Sequence, residues 1–369
     1  MLIGILLGTF TGITPGIHVN TLAAMESSSF WLLFAMGLTH TFLDVVPASF
    51  LGVPDEETAV GLLPAHRLVV HGRGREVLHI ALWSSFLAVL FALPLAPLYI
   101  RVASGYNPSY GRLLVIAVAA VIVLSEGRAR WLRALALFLL SGALGLAVLR
   151  AATLSEPFYH LFTGLFGVPT LIVALQSGGK IRRQGKEAIT NCPVPIVPIV
   201  LGTVAGAAAS LIPAFTASLA ALLASPLARG EREYLAVVYS ANTANFLFGI
   251  VNYASTGRTR NGVAVALARA GIPSPGLEVM MIGAVLIGTL ALLAGAVVGE
   301  VVIRGVEKIE TAKLNAAILV LLGGISLWLD GLRGLWVMLT ASALGFLPLI
   351  FGTRRLVLMG VLAVPVLLG

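Results

Sequence analysis

Residues 4–22 read GILLGTFTGITPGIHVNTL, and residues 202–220 read GTVAGAAASLIPAFTASLA. Aligned from their first residues, the two stretches share two glycines four residues apart and then a proline, which is Pro15 in the first and Pro213 in the second. Two copies of an apolar segment interrupted by Gly and Pro, in corresponding places of two halves, are typical of secondary transporters built from repeats. The pair therefore predicts a duplicated membrane protein with a broken helix in each half.

The composition is that of a polytopic membrane protein. Of the 369 residues, 58% are hydrophobic and 11% are charged, and the mean hydropathy is +0.99. A soluble domain carries about 25% charged residues. Because a spanning helix needs roughly 20 apolar residues and a re-entrant segment fewer, about 12–14 membrane segments fit into this length. We predict an all-α, multi-pass protein of the plasma membrane.

The net charge of +8 does not indicate a nucleic-acid partner. The basic residues lie between the apolar runs, where they set the orientation of the protein in the membrane. The densest basic run, in QSGGKIRRQGKEAITN at 176–191, is expected on the cytoplasmic side.

The similarity between the halves continues beyond the first segment. Residues 30–52 align with 231–253, and PDEETAVG at 54–61 aligns with STGRTRNG at 255–262. An inverted relation between the repeats is favoured over a parallel one, because it gives symmetric alternating access. The predicted parts are repeat one at 1–180, a cytoplasmic linker at 181–195 and repeat two at 196–369.

Polar stretches that contain proline interrupt the first half a second time. Pro47 and Pro54 bracket a short segment, and residues 48–66 as a whole are too polar to face lipid. Non-helical backbone at membrane depth is tolerated only where protein encloses it or where it lines a wet cavity. We therefore expect a re-entrant hairpin at 48–66 and a counterpart at 250–262, with ordinary interfacial loops as the alternative.

The two halves differ in their polar residues, and polar groups inside hydrocarbon are found where they bind something. Carboxylates bind Na⁺ or a proton, whereas Arg clamps a carboxylate or phosphate, so an acidic set opposite an Arg/Asn/Thr set suits co-transport of an anion with a cation. The candidate substrate- and ion-binding residues of the first half are Pro15, Gly16, His18, Asn20, Thr21, Thr39, His40, Asp44, Pro54, Asp55, Glu56 and Glu57. Those of the second half are Pro213, Thr216, Ser218, Asn242, Asn245, Arg258, Arg260 and Asn261.

Several candidates have a structural alternative. Asp44 follows His40 by four residues, so on a helix the two side chains share a face and could bond to each other. Residues 55–57 could form a solvated loop, and Arg258 and Arg260 could serve membrane orientation alone.

The sequence does not predict an enzyme. It contains no Walker loop, no paired Cys set, no HExxH motif and no nucleophile–base signature. An intramembrane catalytic centre would require His18, His40 and Asp44 to converge within bonding distance. No cofactor is expected beyond Na⁺ as a candidate coupling ion. Three further histidines are expected at membrane interfaces: His71, His79 and His160.

Two stretches resemble a known family. LGTFTGITPGIHVNTLA at 7–23 resembles the Gly-rich opening of the TctA-type permeases, the large membrane subunit of tripartite tricarboxylate transporters. SFLGVPDEETAVGLLPAHRLVVHGRGREVL at 49–78 resembles their second signature. Both stretches are most similar to archaeal TctA-like proteins of unassigned substrate. The resemblance implies a carboxylate carrier driven by a Na⁺ or proton gradient.

The leading hypothesis is thus a secondary transporter of an organic anion, and the alternative is a translocase for polyprenyl phosphate. The lipid alternative requires a phosphate clamp that opens sideways to the bilayer. The candidate partners are a small anionic substrate, the lipid bilayer, a small membrane subunit, a solute-binding protein and a second copy of the chain.

Overall fold

The protein is all-α, as predicted. In the computed structural model, the described residues form helices and connecting segments and no strand. The structure describes residues 1–369 except for 15–18, 20, 21, 24–28, 52–56, 152, 178–182, 186–192, 213, 214, 225, 226, 309 and 369.

Six helices among the described residues are long and apolar enough to cross a membrane, and five shorter apolar helices of 10–17 residues accompany them. In chain order the helices of the first half are α1 (Leu2–Ile13), α2 (Phe30–Leu43), α3 (Leu62–Val70), α4 (Gly74–Gly105), α5 (Pro108–Leu124), α6 (Trp131–Ala151), α7 (Pro157–Phe162) and α8 (Val168–Ser177). Those of the second half are α9 (Ile196–Ala209), α10 (Ala217–Ala224), α11 (Glu231–Thr256), α12 (Gly262–Arg269), α13 (Leu277–Val306), α14 (Thr311–Phe351) and α15 (Gly360–Leu368).

The chain forms two compact units, and each unit draws on both predicted halves. Unit 1 comprises Met1–Tyr106, Lys180–Leu211 and Thr216–Glu310, and unit 2 comprises Asn107–Gly179, Ile212–Phe215 and Thr311–Gly369. The compact units therefore do not coincide with the predicted parts of the sequence. The division into two repeats stays a prediction about the origin of the chain.

Two helices form the centre of unit 1. In the most apolar stretch of the spans Phe30–Leu51 and Glu231–Thr256, 89% of the residues are buried inside the protein. In the same stretch of the other four candidate spans, 33–39% of the residues are buried. The first of these spans consists of α2 and a π-helical turn at Pro47–Leu51. These two enclosed spans are also the ones that carry the predicted polar residues. This agrees with the rule that polar groups in a membrane protein face the protein interior.

Glycines bring the first helix of each half against this centre. A Cβ atom added to Gly8 of α1 would lie 2.8 Å from the Cβ atom of Thr39, and one added to Gly206 of α9 would lie 2.9 Å from that of Ala244. Such close approach is typical of helix pairs in membranes. By packing, Thr39 takes the place in the first half that Ala244 takes in the second, whereas the sequence alignment pairs Thr39 with Ser240. The correspondence between the halves stays a prediction.

Part of the predicted linker lies against unit 1. Gln184 is buried, and its side-chain amide donates from Nε2 to the carbonyl oxygen of Val69 at 3.0 Å. Arg75 at the start of α4 pairs with Glu300 of α13 through Nε at 2.9 Å. The Oε1 atom of Gln184 also accepts the backbone N–H of Gly74 at 2.5 Å, so Gln184 lies beside the first turn of α4.

In unit 2, each half caps a helix of the other half. Glu126 lies between α5 and α6, and its carboxylate accepts the backbone N–H of Arg354 at 3.1 Å, immediately before the final turns of the second half. Asp330 lies in α14, where the backbone leaves the helical conformation and Gly331 has a φ of +60°. The Asp330 carboxylate accepts the backbone N–H groups of residues 155–156 at 2.6 and 3.0 Å, immediately before α7.

Two glycines at matching places in the halves also contact a helical segment of the other half. A Cβ atom on Gly145 of α6 would meet the carbonyl oxygen of Val361 in α15, and one on Gly345 of α14 would meet that of Leu165 beside α7. Gly145 and Gly345 occupy matching places in SGALGL and SALGF. These paired contacts favour a common origin of the two halves, with packing arms exchanged between them.

Candidate functional site

The centre of the candidate site is a polar contact between α2 and α11. Asp44, at the end of α2, is 2% exposed, and its carboxylate accepts a hydrogen bond from Asn242 Nδ2 at 2.5 Å. Beside this pair, the hydroxyl groups of Thr41 and Thr243 lie 3.1 Å apart. Asn242 and Thr243 lie near the middle of the 26-residue α11. The polar runs THTFLD at 39–44 and SANTAN at 240–245 therefore meet in the enclosed centre of unit 1.

His40 and Thr39 extend this buried polar region. His40 is 5% exposed, and its Nδ1 lies 3.1 Å from the hydroxyl oxygen of Thr11 in α1. Thr39 is fully buried, and its hydroxyl oxygen has no hydrogen-bond partner. Buried hydroxyl groups without a partner are uncommon in proteins, and each one calls for an explanation.

A second contact joins Glu57 to the start of α10. The carboxylate oxygen Oε2 of Glu57 accepts the backbone N–H of Ala217 at 2.6 Å and the side-chain amide of Asn245 at 3.3 Å. Thr216 precedes the helix, and its hydroxyl group accepts the N–H of Leu219 at 3.3 Å. The first amides of a helix have no partner within the helix and form its positive end. A negative side chain therefore occupies this helix start.

A positively charged side chain, Arg260, binds the backbone just after α9. After the last residue of α9, Arg260 Nη2 donates to the carbonyl oxygen of Leu211 at 2.8 Å, and Asn252 Nδ2 donates to that of Ser210 at 3.1 Å. Burial lowers the pKa of Arg260. A guanidinium near the end of α9 and a carboxylate at the start of α10 have the signs that the two helix dipoles favour. The two ends of this interrupted segment are thus stabilised by oppositely charged side chains.

The predicted hairpin at 250–262 has two unlike arms. Residues 250–256 are the last turns of α11, which ends at Gly257 with a φ of +74°. The chain then turns back, so that Asn261 Nδ2 donates to the carbonyl oxygen of Phe246 at 3.3 Å. Asn261 also begins α12, because its Oδ1 accepts the N–H of Ala264 at 2.8 Å. The described role of Asn261 is therefore to hold this turn.

Arg258 lies in the same turn and faces the end of α4. Its guanidinium donates from Nη1 to the carbonyl oxygen of Ala103 at 3.2 Å and lies 5.8 Å from the centre of the Tyr106 ring. The second contact has the geometry of a cation–π interaction. The hydroxyl oxygen of Tyr106 is buried without a hydrogen-bond partner.

The structure thus brings Asp44 to Asn242 and Glu57 to Asn245, and it places the two arginines on backbone carbonyl groups. Ser218 is fully buried in the first turn of α10. The remaining predicted site residues lie outside the described part of the chain: Pro15, Gly16, His18, Asn20, Thr21, Pro54, Asp55, Glu56 and Pro213. The tip of the predicted hairpin at 48–66 lies there too.

The sequence analysis missed one buried cluster in unit 2. His160 was expected at a membrane interface, but it is fully buried; its Nε2 lies 2.8 Å from the carboxylate of Asp330 and its Nδ1 lies 3.0 Å from the hydroxyl of Ser326. Asp330 and Ser326 are four residues apart on α14, and this spacing was the available signal. Among the described residues, no three His, Cys, Asp or Glu side chains converge as metal ligands would.

Two comparisons with known proteins find similarity, one along almost the whole chain and one along half of it. A family model described as the tripartite tricarboxylate transporter TctA family matches residues 1–360. An uncharacterized protein of Methanocaldococcus jannaschii is 34% identical over 204 residues, which are 50% of this chain and 50% of that protein. The match thus spans about half the length of the curated relative. No solved structure matches the chain.

Proposed function

The chain belongs to the tripartite tricarboxylate transporter TctA family, and from this membership we propose that it is a secondary active transporter of an organic anion of the carboxylate class. Transport is coupled to Na⁺ or H⁺ and proceeds by alternating access. The chain is a multi-pass membrane protein of that family, with six apolar helices long enough to cross a bilayer.

One observation carries the proposal: buried and half-buried acidic and amide groups meet in the most enclosed part of unit 1, and one of them binds the start of α10 after the break that follows α9. Asp44 bonds to Asn242, and Glu57 bonds to Asn245 and to the start of α10. In secondary transporters, substrate and ion sites lie near the bilayer midplane beside discontinuous helices. Asn242 and Asn245 lie about halfway along α11, and this position supports a site near that depth.

The two sides of this site have different roles in the proposal. Asp44 holds the coupling cation or proton, because a buried carboxylate can bind Na⁺ and can also be protonated. The positive start of α10 and the charge of Arg260 attract the substrate anion. The cation and the anion then neutralise each other during transport.

The arginines favour an enclosed anion over the lipid-phosphate alternative. Arg258 and Arg260 are each half-buried and bonded to backbone carbonyl groups of the same unit. A phosphate clamp that opens sideways to the bilayer would need guanidinium groups directed to lipid. The enclosed-solute hypothesis therefore has the better support.

The partners follow from the family. We propose that a small membrane subunit and a solute-binding protein work with this chain in a tripartite system, in which the binding protein delivers the anion. A second copy of the chain is a further candidate partner.

The test is uptake into liposomes that contain the purified protein. Citrate, succinate and malate, each radiolabelled, are offered under an imposed Na⁺ or proton gradient, and at least one is expected to accumulate. Asp44→Asn removes the charge that holds the cation and is expected to lower the initial rate at least tenfold. Glu278→Gln is the matched control, because it makes the same change at an exposed position at the start of α13. Uptake that is indifferent to Asp44→Asn combined with Arg260→Ala would remove both roles.

A further inference from the structure

The start of α10 is occupied by a carboxylate that belongs to the protein itself. The N–H of Ala217 and the side-chain amide of Asn245 both donate to Oε2 of Glu57. A helix start is a favourable place for an anion, because its free amides and its dipole both act on negative charge. Glu57 thus lies where an anionic ligand would be expected to bind.

Hydroxyl groups around this carboxylate have unused hydrogen-bonding capacity. Ser218 is the second residue of α10 and is fully buried, and its Oγ has no hydrogen-bond partner. Thr58 directly follows Glu57 and is 1% exposed, and its Oγ1 has no partner either. Leaving a buried hydroxyl unsatisfied costs stability. Ser218 belongs to the helix start, Thr58 follows Glu57 in the chain, and each hydroxyl group can still donate to an acceptor oxygen.

The comparable carboxylates in unit 2 are less accessible. The side chains of Glu126 and Asp330 are 4% and 5% exposed. Glu57 is half-buried, so solvent and solutes reach it. The helix cap in unit 1 is therefore the one that a ligand can reach.

We propose that a carboxylate group of the transported anion binds at the start of α10 in exchange for Glu57, so that Glu57 is a competitor built into the chain. This inference rests on the proposed transport function, and it specifies that the substrate carries at least one carboxylate. The incoming group accepts hydrogen bonds from the N–H of Ala217, from Asn245 and from the hydroxyl of Ser218. Because one carboxylate replaces another, the charge at the helix start is the same before and after the exchange.

The exchange has a consequence for affinity. A ligand that must displace an occupant binds more weakly than its intrinsic affinity, by the fraction of molecules in which the place is vacant. Removing the Glu57 carboxylate should therefore tighten the binding of a carboxylate ligand, whereas removing a true substrate-binding or cation-binding group would weaken it.

The experiment compares Glu57→Ala with the wild-type protein in detergent, with sodium acetate as the probe and sodium chloride as the ionic control. The apparent melting temperature is measured against acetate concentration. Acetate is expected to bind Glu57→Ala at least tenfold more tightly than the wild type, because it can occupy the vacated helix start. Glu278→Ala is the matched control and should respond as the wild type does. An equal response of Glu57→Ala and the wild type would overturn the proposal.

A second variant keeps the proposal testable if Glu57→Ala does not fold. Glu57→Gln retains an oxygen that accepts the N–H of Ala217 but loses the negative charge. The citrate concentration that gives half of the maximal thermal shift should fall about three- to tenfold, and an unchanged or higher concentration contradicts the exchange. Neither measurement requires transport. Absent uptake with intact acetate binding therefore counts against the transport function, whereas uptake without acetate binding counts against the exchange.

Discussion

In unit 2, Glu126 and Asp330 each cap a helix of the other half and each also binds a basic side chain, whereas in unit 1 Glu57 caps α10 beside the neutral amide of Asn245. The three carboxylates perform the same local chemistry. They differ in burial. The difference teaches that a helix cap is a fixed joint when the protein encloses it, and an exchangeable one when it is accessible.

The largest effect is expected at Asp330. Asp330→Ala removes the acceptor of two backbone N–H groups and the partner of the buried His160, and loss of one member of a buried pair costs about 3–5 kcal/mol. The apparent melting temperature of the purified protein measures this loss. Asp330→Asn is the control, because it keeps one acceptor oxygen and should cost less. A change of less than about 1 kcal/mol for Asp330→Ala would contradict its role as a fixed joint.

A smaller loss is expected at Glu126. Glu126→Gln leaves Arg354 without its ion pair, but the guanidinium is 51% exposed and can turn to water. We therefore expect a cost of about 1–2 kcal/mol, between that of an exposed pair and that of a buried one. The same melting experiment checks it. A loss as large as that of Asp330→Ala would show that exposure of the basic partner does not grade the two joints.

The smallest loss of stability is expected at Glu57. Glu57→Gln still offers an oxygen to the N–H of Ala217, and changes in helix caps typically cost about 1 kcal/mol or less when an acceptor remains. Its melting temperature should thus stay close to that of the wild type, while its response to carboxylates changes. If Glu57→Gln were as unstable as Asp330→Ala, the cap in unit 1 would be a fixed joint like those in unit 2.

The sequence was sufficient for the fold class. The apolar runs and the low content of charged residues predict an all-α membrane protein. Asp44 and Asn242 are both candidate site residues, and they lie in the polar runs THTFLD at 39–44 and SANTAN at 240–245. The contact between them agrees with the expectation that polar groups of a membrane protein turn to its interior, whereas their role in binding stays a prediction.

The register and the partners of single side chains could not be predicted. Apolar helices look alike when they are shifted by one turn, so the sequence could not predict that Gly8 packs against Thr39 and Gly206 against Ala244. The four-residue spacing of Ser326 and Asp330 places both side chains on one side of a helix, but it does not identify the distant His160 as their partner. Arg260 was predicted to neutralise an anion, and this role stays a prediction. Its guanidinium binds a carbonyl group just after α9. That position depends on how the chain turns back after Gly257, which the sequence does not indicate.

The exchange of arms in unit 2 has a consequence for how the protein is made. While the ribosome is still translating, α6 has entered the bilayer but α15, against which Gly145 packs, does not yet exist. During synthesis, the first half is therefore in the bilayer while the surface around Gly145 has no native partner. The helix that packs against it is made only near the end of synthesis. Expressed alone, this half should be a target for membrane quality-control proteases, and supplying the second half as a separate polypeptide should rescue it.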